Sequence, residues 1–168
     1  SGSRVRPLRR RTRRKGPTMT CPFLRRFAAW GLAVAAAAFG PAACARKAPD
    51  RITVQHILIA FKGSIPEARV SRSLAEAKDL AFALYERARK GEDFGALVKQ
   101  YTDDEYPGIY AMSNIGVEPD PARKEYARAR MVKSFGDVGF RLDVGGIGLA
   151  EHDPKDSKYG WHIIKRLS

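Results

Sequence analysis

Apolar residues beyond about residue 50 recur at the spacings of short strands and amphipathic helices. Residues 52–61, ITVQHILIAF, are rich in β-branched side chains and apolar on both faces, which predicts a central strand covered on both sides. After a polar loop, Ser73 and Glu76 have the spacing of a capping box, which predicts a helix start. Apolar residues then recur every three or four positions over residues 74–88, so we expect an amphipathic helix that Gly91 ends.

The rest of this region predicts shorter elements separated by loops. Asp93 is placed to cap a short helix over residues 94–101. A helix is also predicted over residues 124–142, although Gly136 and Gly139 each weaken it by roughly 1 kcal/mol relative to alanine. The order β-α-α-β-α-β-β gives residues 51–168 an α+β fold, with a small mixed or antiparallel sheet and helices packed around it. The three later strands are expected at residues 108–112, 147–150 and 161–167.

The formal charge of +13 is confined almost entirely to the first fifty residues. Residues 1–50 carry 12 Lys or Arg and one acid, whereas residues 51–168 carry 19 Lys or Arg and 17 Asp or Glu. A face that binds nucleic acid would show clustered positive charge on the domain itself. We therefore expect no nucleic-acid partner, and a basic-arm nucleic-acid binder is the lesser alternative.

The first fifty residues have the layout of an export segment. Residues 1–18 are Arg-rich without helical periodicity, and a conventional signal begins at Met19, with two arginines before the apolar run of residues 27–40. We predict a signal peptide at about residues 19–43 and a short tether up to residue 50. The stretch before Met19 is then an over-extended reading frame or a scar, with a functional basic arm or a twin-arginine signal as alternatives.

Both cysteines, Cys21 and Cys44, lie in this leader, so the domain can hold neither a disulfide nor a thiolate metal site. Residues 42–44, Ala-Ala-Cys, resemble a bacterial lipoprotein signal, in which the cysteine is lipidated and becomes the mature N-terminus. The resemblance predicts an exported, periplasmic protein held at a membrane surface through Cys44. Plain secretion and an uncleaved anchor are the alternatives, and no apolar run reaches the ~18 residues of a transmembrane helix.

Four short segments of the domain together carry a family resemblance. They are VQHILIAF in the first strand, KGEDF through KQYTDD over residues 90–104, FGDVGFRL at residues 135–142 followed by Gly145, and YGWHII at residues 159–164. Their order and spacing resemble those of parvulin-type peptidyl-prolyl cis/trans isomerases. The resemblance implies the parvulin fold and catalysis of rotation about X-Pro peptide bonds, with proline-containing polypeptides as clients and no cofactor.

The same resemblance implies a site built around two histidines. His56 and His162 would lie side by side on neighbouring strands and form a buried hydrogen-bond network, instead of being isolated core histidines. Asp104 stands where relatives carry Asp or Cys, and would hydrogen-bond a histidine and place negative charge near the rotating carbonyl. Asp103 is the alternative if the alignment is off by one residue.

An apolar pocket would hold the proline ring. By resemblance, Met131 and Phe135 would form its floor, and their spacing of four would place them on one face of the predicted helix. Ile109 would add a wall, and Tyr159 and Ser157 would supply hydroxyl groups near the pocket. Plain core packing is the alternative for Phe135.

Departures from the family pattern border this expected groove: PGIYA at residues 107–111, a long stretch at residues 113–130 and a long loop before the last strand. A parvulin fold that holds unfolded chains without useful catalysis, as chaperone-type relatives do, is therefore the alternative function. Two histidines without a nearby third ligand fall short of usual zinc sets, so no metal site is predicted. We expect Lys62, Arg69 and Arg72 in a solvated loop without phosphate specificity.

Overall fold

A computed structural model of the chain describes residues 47–66 and 69–168. The predicted signal peptide and Cys44 lie outside these residues. None of the helices within them has the length and apolar character needed to cross a bilayer. The mixed sheet and surrounding helices confirm the α+β prediction. In chain order the elements are β1 (Arg51–Ala60), α1 (Leu74–Arg89), α2 (Phe94–Tyr101), β2 (Ile109–Ser113), β3 (Tyr126–Ala127), α3 (Lys133–Arg141), β4 (Ile147–Ala150) and β5 (Gly160–Arg166), with short 3₁₀ segments at Pro121–Arg123 and Arg128–Arg130.

β1 lies at the centre of a five-stranded sheet with the order β3-β2-β1-β5-β4. It pairs antiparallel with both β2 and β5, while the two-residue β3 is parallel to its neighbour β2. β1 contributes side chains to a separate buried cluster on each face of the sheet. The prediction of a central strand covered on both sides is therefore confirmed.

Side-chain alternation along β1 assigns the two clusters to opposite faces. Ile57 packs with α1, α2 and the buried Trp161. Ile52 and Val54 face the other way and pack against α3. His56 has the same parity as Ile52 and Val54, so its side chain lies on the α3 face, where the site forms.

α1 begins as its capping box predicts. The Ser73 hydroxyl oxygen accepts a hydrogen bond from the backbone N–H of Glu76 at 3.3 Å, and the Glu76 carboxylate accepts one from the backbone N–H of Ser73 at 2.7 Å. These two bonds satisfy donors that the first helical turn leaves unpaired. They also lower the pKa of Glu76, with the bond from the Ser73 backbone as the larger cause.

The predicted helix over residues 124–142 is wrong in its first half. Lys124 has a left-handed backbone with φ of 53°, β3 follows, and α3 begins only at Lys133. The cause is a contact distant in sequence: the carboxylate of Glu125, 2% exposed, is paired with Arg51 of β1. This ion pair holds the stretch against the sheet, and the observed order becomes β-α-α-β-β-α-β-β.

Two glycines let α3 approach its neighbours closely. A Cβ at Gly139 would lie 3.3 Å from Cδ1 of Ile52, and a Cβ at Gly136 would lie 3.0 Å from Cγ of Arg128. Glycine lowers helix propensity at both positions. In return, α3 packs tightly against β1 and against the preceding 3₁₀ segment.

Candidate active site

A cleft of about 420 Å³ opens on the α3 face of the sheet. Its lining combines apolar side chains with a small number of polar groups, which is typical of ligand sites. Within the described residues, no three His, Cys, Asp or Glu side chains are grouped so that they could hold a metal ion. The lining residues are His56, Leu58, Ile65, Pro66, Asp104, Tyr110, Arg130, Met131, Val132, Phe135, Tyr159 and His162.

The two histidines of β1 and β5 are in direct contact. The strand register places Leu58 opposite His162 and Ile164 opposite His56, so the histidines are diagonal neighbours. Their Nδ1 atoms lie 3.3 Å apart, and their ring planes are within 14° of each other. Because the ring centroids are 5.4 Å apart, this is an in-plane hydrogen bond and not a face-to-face stack.

His56 extends this contact into a chain of hydrogen bonds. Its Nε2 lies 2.9 Å from Oδ2 of Asp104, and Tyr110 donates its hydroxyl to the same oxygen at 2.8 Å. The bond from His56, assisted by that from Tyr110, outweighs burial and holds the pKa of Asp104 well below its usual range. Burial, and then the bond to Asp104, raise the pKa of Tyr110. Near neutral pH, Asp104 is therefore an anion and Tyr110 a neutral donor.

The charge of Asp104 determines where the protons of this chain lie. An anionic carboxylate only accepts, so Nε2 of His56 donates to it. When His56 is neutral, its Nδ1 is an acceptor and His162 donates to it. Burial, and then the nearby His56, lower the pKa of His162 to about 3, so His162 is neutral near pH 7. Its buried Nε2 then carries a lone pair that has no hydrogen-bond partner among the described residues.

An apolar slot lies against the two imidazole rings. Phe135 is 2% exposed, and its ring meets those of His56 and His162 edge-on, with centroid distances of 5.0 and 5.5 Å. Met131 also lines the cleft, but from the end of a 3₁₀ segment before α3. The structure thus brings Met131 and Phe135 together, although the helical-spacing argument for their proximity is wrong.

The neighbouring residues Asp103 and Asp104 have different surroundings. Asp103 is paired with Arg72 and accepts a hydrogen bond from the backbone N–H of Ala60 at 2.8 Å. Arg72 also donates to the Ala60 carbonyl at 3.1 Å, so its predicted place in a solvated loop is wrong. Asp103 therefore ties the loop before β2 to the end of β1, while Asp104 faces His56.

Comparison with known proteins establishes the family. The sequence model of the PPIC-type PPIase (peptidyl-prolyl isomerase) domain family matches residues 42–167. The chain belongs to this family. Foldase protein PrsA 4 of Bacillus cereus is 35% identical over 100 residues, which cover 60% of this chain and 31% of that protein. Chaperone SurA of Pseudomonas aeruginosa is 28% identical over 118 residues, which cover 70% of this chain and 24% of that protein.

The chain spans about a third or less of the length of these two curated relatives. Solved structures show the same fold. The solution structure of TbPIN1 matches 71% of this chain and 99% of its own, with a TM-score of 0.53 and 22% identity. Peptidyl-prolyl isomerase ESS1 from Candida albicans matches 71% of this chain and 63% of its own, with a TM-score of 0.52 and 19% identity. The predicted parvulin fold is confirmed.

Two predicted site residues lie outside the cleft of this PPIC-type domain. Ile109 is 49% exposed, and it has the opposite parity on β2 to Tyr110, so its side chain points away from the cleft. Ser157 is buried and donates its hydroxyl to the carbonyl of Gly160 at 2.9 Å, which closes the turn before β5. Of the two predicted hydroxyl residues, Tyr159 lines the cleft.

Tyr110 is the polar site residue that sequence reasoning missed. Strand alternation alone could not have found it, because the face of β2 that meets the cleft depends on the pairing of β2 with β1. Met112 is buried with Ile52 and Val54 on the α3 face, and the register pairs Tyr110 with Val54. The Tyr110 side chain therefore faces the cleft. The other lining residues that were not foreseen are Leu58, Ile65, Pro66, Arg130 and Val132.

Proposed function

We propose that the domain is a peptidyl-prolyl cis/trans isomerase that acts on X-Pro bonds of exported or unfolded proteins. The observation that carries this proposal is the contact between an apolar slot and a series of hydrogen-bonded polar side chains. The Phe135 ring contacts both His56 and His162, and His56 is hydrogen-bonded to Asp104. A proline ring in the slot would place its peptide bond against these hydrogen-bonded side chains.

Rotation about the X-Pro bond needs no lasting change in covalent bonds. Partial double-bond character sets a rotation barrier of ~18–20 kcal/mol. Twisting removes the amide resonance, so the nitrogen becomes more amine-like. A site that holds the twisted amide better than either planar form accelerates rotation in both directions.

The cleft residues can supply this preference. Apolar lining residues exclude water around the proline ring, which strengthens polar interactions beside it. The chain from Tyr110 through Asp104 to His56 fixes the orientation of the imidazoles before a substrate binds, and Tyr159 offers a second hydroxyl. We assign no covalent step, since residues 51–168 contain no cysteine that could attack the amide.

The leader sequence supports a role outside the cytoplasm. Residues 19–43 have the pattern of a signal peptide, and Cys44 follows two alanines as in lipoproteins. The proposed protein is periplasmic and anchored through a lipidated Cys44, and the names foldase and chaperone of two relatives support polypeptide clients. Mass spectrometry of the mature protein from a native host should show a diacylated or triacylated Cys44. An unmodified terminus elsewhere would contradict the anchor.

A module that holds unfolded chains without catalysis is the second candidate. Apolar side chains are exposed at the segment of residues 107–111 that departs from the family pattern: Ile109 within it is 49% exposed, and Tyr106 just before it is 63% exposed. Exposed apolar groups of this kind could hold an extended client. One relative is named a chaperone.

A protease-coupled assay on a proline-containing peptide separates the two candidates. The full chain should accelerate cis-to-trans conversion at concentrations well below that of the peptide. Absence of acceleration, together with suppression of aggregation of an unfolded client, would replace the isomerase proposal with the binding module. Absence of both would contradict both proposals.

A further inference from the structure

We propose that Arg130 makes the cleft prefer prolines flanked by an acidic residue, an inference that rests on the proposed isomerase function. Arg130 is exposed and lines the cleft beside Met131. Among the residues that the structure describes, no ion pair, hydrogen bond or ring contact engages its guanidinium. A free cation thus stands at the edge of an otherwise apolar slot.

No carboxylate that lines the cleft forms an ion pair with Arg130. Asp104 is the one carboxylate among the cleft-lining residues, and its oxygen Oδ2 accepts hydrogen bonds from His56 and Tyr110. His162 is neutral because burial lowers its pKa. The charge left without an ion-pair partner at the cleft edge is therefore the positive charge of Arg130.

Two charged residues that precede Arg130 in the sequence are paired. Arg128 donates to the Asp137 carboxylate at 2.6 Å. The Glu125 carboxylate is 2% exposed and is paired with Arg51. These ion pairs hold the 3₁₀ segment in place, and Arg130 projects from the same segment without one.

Arg130 also borders a second depression of about 360 Å³, formed by the long stretch that precedes α3. Because the same side chain lines both cavities, a peptide that leaves the proline slot in this direction passes the guanidinium. Glu118 and Glu125 line the depression but not the cleft. Residues 113–130, which depart in length from the family pattern, thereby contribute to the substrate path.

A carboxylate is the anion that fits this position. One guanidinium can pair with both oxygens of a carboxylate in a bidentate geometry. Recognition of phosphorylated motifs uses clusters of arginines. Lys62 and Arg69 do not line the cleft, so Arg130 has no such cluster around it there. The substrate class is therefore a proline with Glu or Asp immediately before or after it.

Exchange spectroscopy on matched single-proline peptides tests this preference with the full chain. The peptides carry Glu or Gln immediately before the proline, or Glu or Gln immediately after it. At one of the two positions, kcat/KM should be about two- to fivefold higher for Glu than for Gln, the range expected of an exposed ion pair. The ratio should shrink at about 0.5 M NaCl, because salt screens exposed charges.

Arg130→Gln removes the charge and should bring the Glu/Gln ratio close to one. Arg89→Gln is the matched control, since Arg89 is exposed on α1 at the opposite face of the sheet, and its ratio should equal that of the wild type. Equal rates for Glu and Gln at both positions in the wild type would overturn the inference and leave the isomerase proposal intact. If no peptide is accelerated, the isomerase proposal fails, and the affinities of the same peptides for wild type and Arg130→Gln then decide the acidic preference.

Discussion

The Nδ1 atoms of His56 and His162 lie 3.3 Å apart across neighbouring strands, and one of them must donate a hydrogen bond to the other. Through its other ring nitrogen, His56 is also hydrogen-bonded to the anionic Asp104. His162 is 4% exposed. A proton added to His162 would create a buried positive charge without a directly bonded carboxylate.

Stability should therefore fall in mild acid because of His162. Its pKa is about 3 in the folded domain and about 6.5 in an unfolded chain. Between these values the unfolded chain binds a proton that the folded domain does not, so the free energy of unfolding decreases as pH falls, by at most about 1.4 kcal/mol per pH unit. Asp104 acts in the same direction only at lower pH, because its folded pKa is lowered from the ordinary value of 3.8.

Urea unfolding of the full chain between pH 7 and pH 4 measures this dependence. His162→Asn removes the titrating group and should flatten the curve over that range. Parallel losses of stability in the wild type and the variant would contradict the assignment of the acid sensitivity to His162.

Substitution of Asp103 should mainly lower stability, whereas substitution of Asp104 should mainly lower activity. Asp103→Ala removes the partner of the part-buried Arg72 and should lower the free energy of unfolding by about 1–3 kcal/mol, with a small effect on kcat/KM in the folded protein. Asp104→Ala removes the carboxylate that orients His56 and should lower kcat/KM by about tenfold or more. Denaturation curves and isomerase rates on both variants check this. Equal losses of activity would show that the two residues do not have distinct roles.

The contrast between these two aspartates shows how much of the site could be predicted from the sequence. Residues with strong local signals behave as predicted: the Ser73–Glu76 capping box starts α1, and the apolar run of residues 52–61 forms the central strand. Asp104 could be named by resemblance. The sequence alone could not show which of Asp103 and Asp104 contacts His56, because adjacent loop residues differ mainly in the direction of their side chains. The structure shows that Asp104 makes this contact.

Two errors of prediction have one physical origin, a contact distant in sequence. The stretch before α3 has helical spacing, yet the ion pair of the buried Glu125 carboxylate with the exposed Arg51 holds it against the sheet. On β2, a shift of one residue reverses the face that a side chain occupies. Ile109 was therefore expected in the place that Tyr110 fills, and only the pairing of Tyr110 with Val54 determines which face it takes.

Met131→Ala should lower activity more than stability. Its side chain is half-buried and lines the cleft, so truncation opens the proline slot and should reduce kcat/KM by about tenfold while costing about 1 kcal/mol of stability. Adding Phe135→Ala should reduce activity further, but it removes a buried ring and costs about 3–5 kcal/mol more.

Met112→Ala is the matched control for this loss. Met112 is fully buried outside the cleft, so its truncation should cost about 2–5 kcal/mol. Its kcat/KM should stay near the wild-type value at temperatures where the variant is folded. An unchanged rate in Met131→Ala would remove the proline-pocket assignment.

Gly108 should be needed for the geometry of His56. Its φ is +66°, and a Cβ there would lie 2.7 Å from the backbone oxygen of His56. Gly108→Ala should therefore displace the loop before β2 and reduce both stability and activity. Gly116→Ala, with φ of +79° and no atom within 4 Å, isolates the backbone strain alone and should cost about 1 kcal/mol without loss of activity. Equal effects of the two substitutions would contradict the close-approach argument.

The rate of cis/trans exchange in a single-proline peptide, measured by exchange spectroscopy with a small fraction of full chain present, tests the central claim most directly. Uncatalysed exchange takes tens to hundreds of seconds and gives no cross-peaks on the timescale of the experiment. The wild type should produce exchange cross-peaks between the cis and trans proline signals, and Asp104→Ala should weaken them strongly. A wild-type protein that binds the peptide but produces no cross-peaks would contradict the isomerase account.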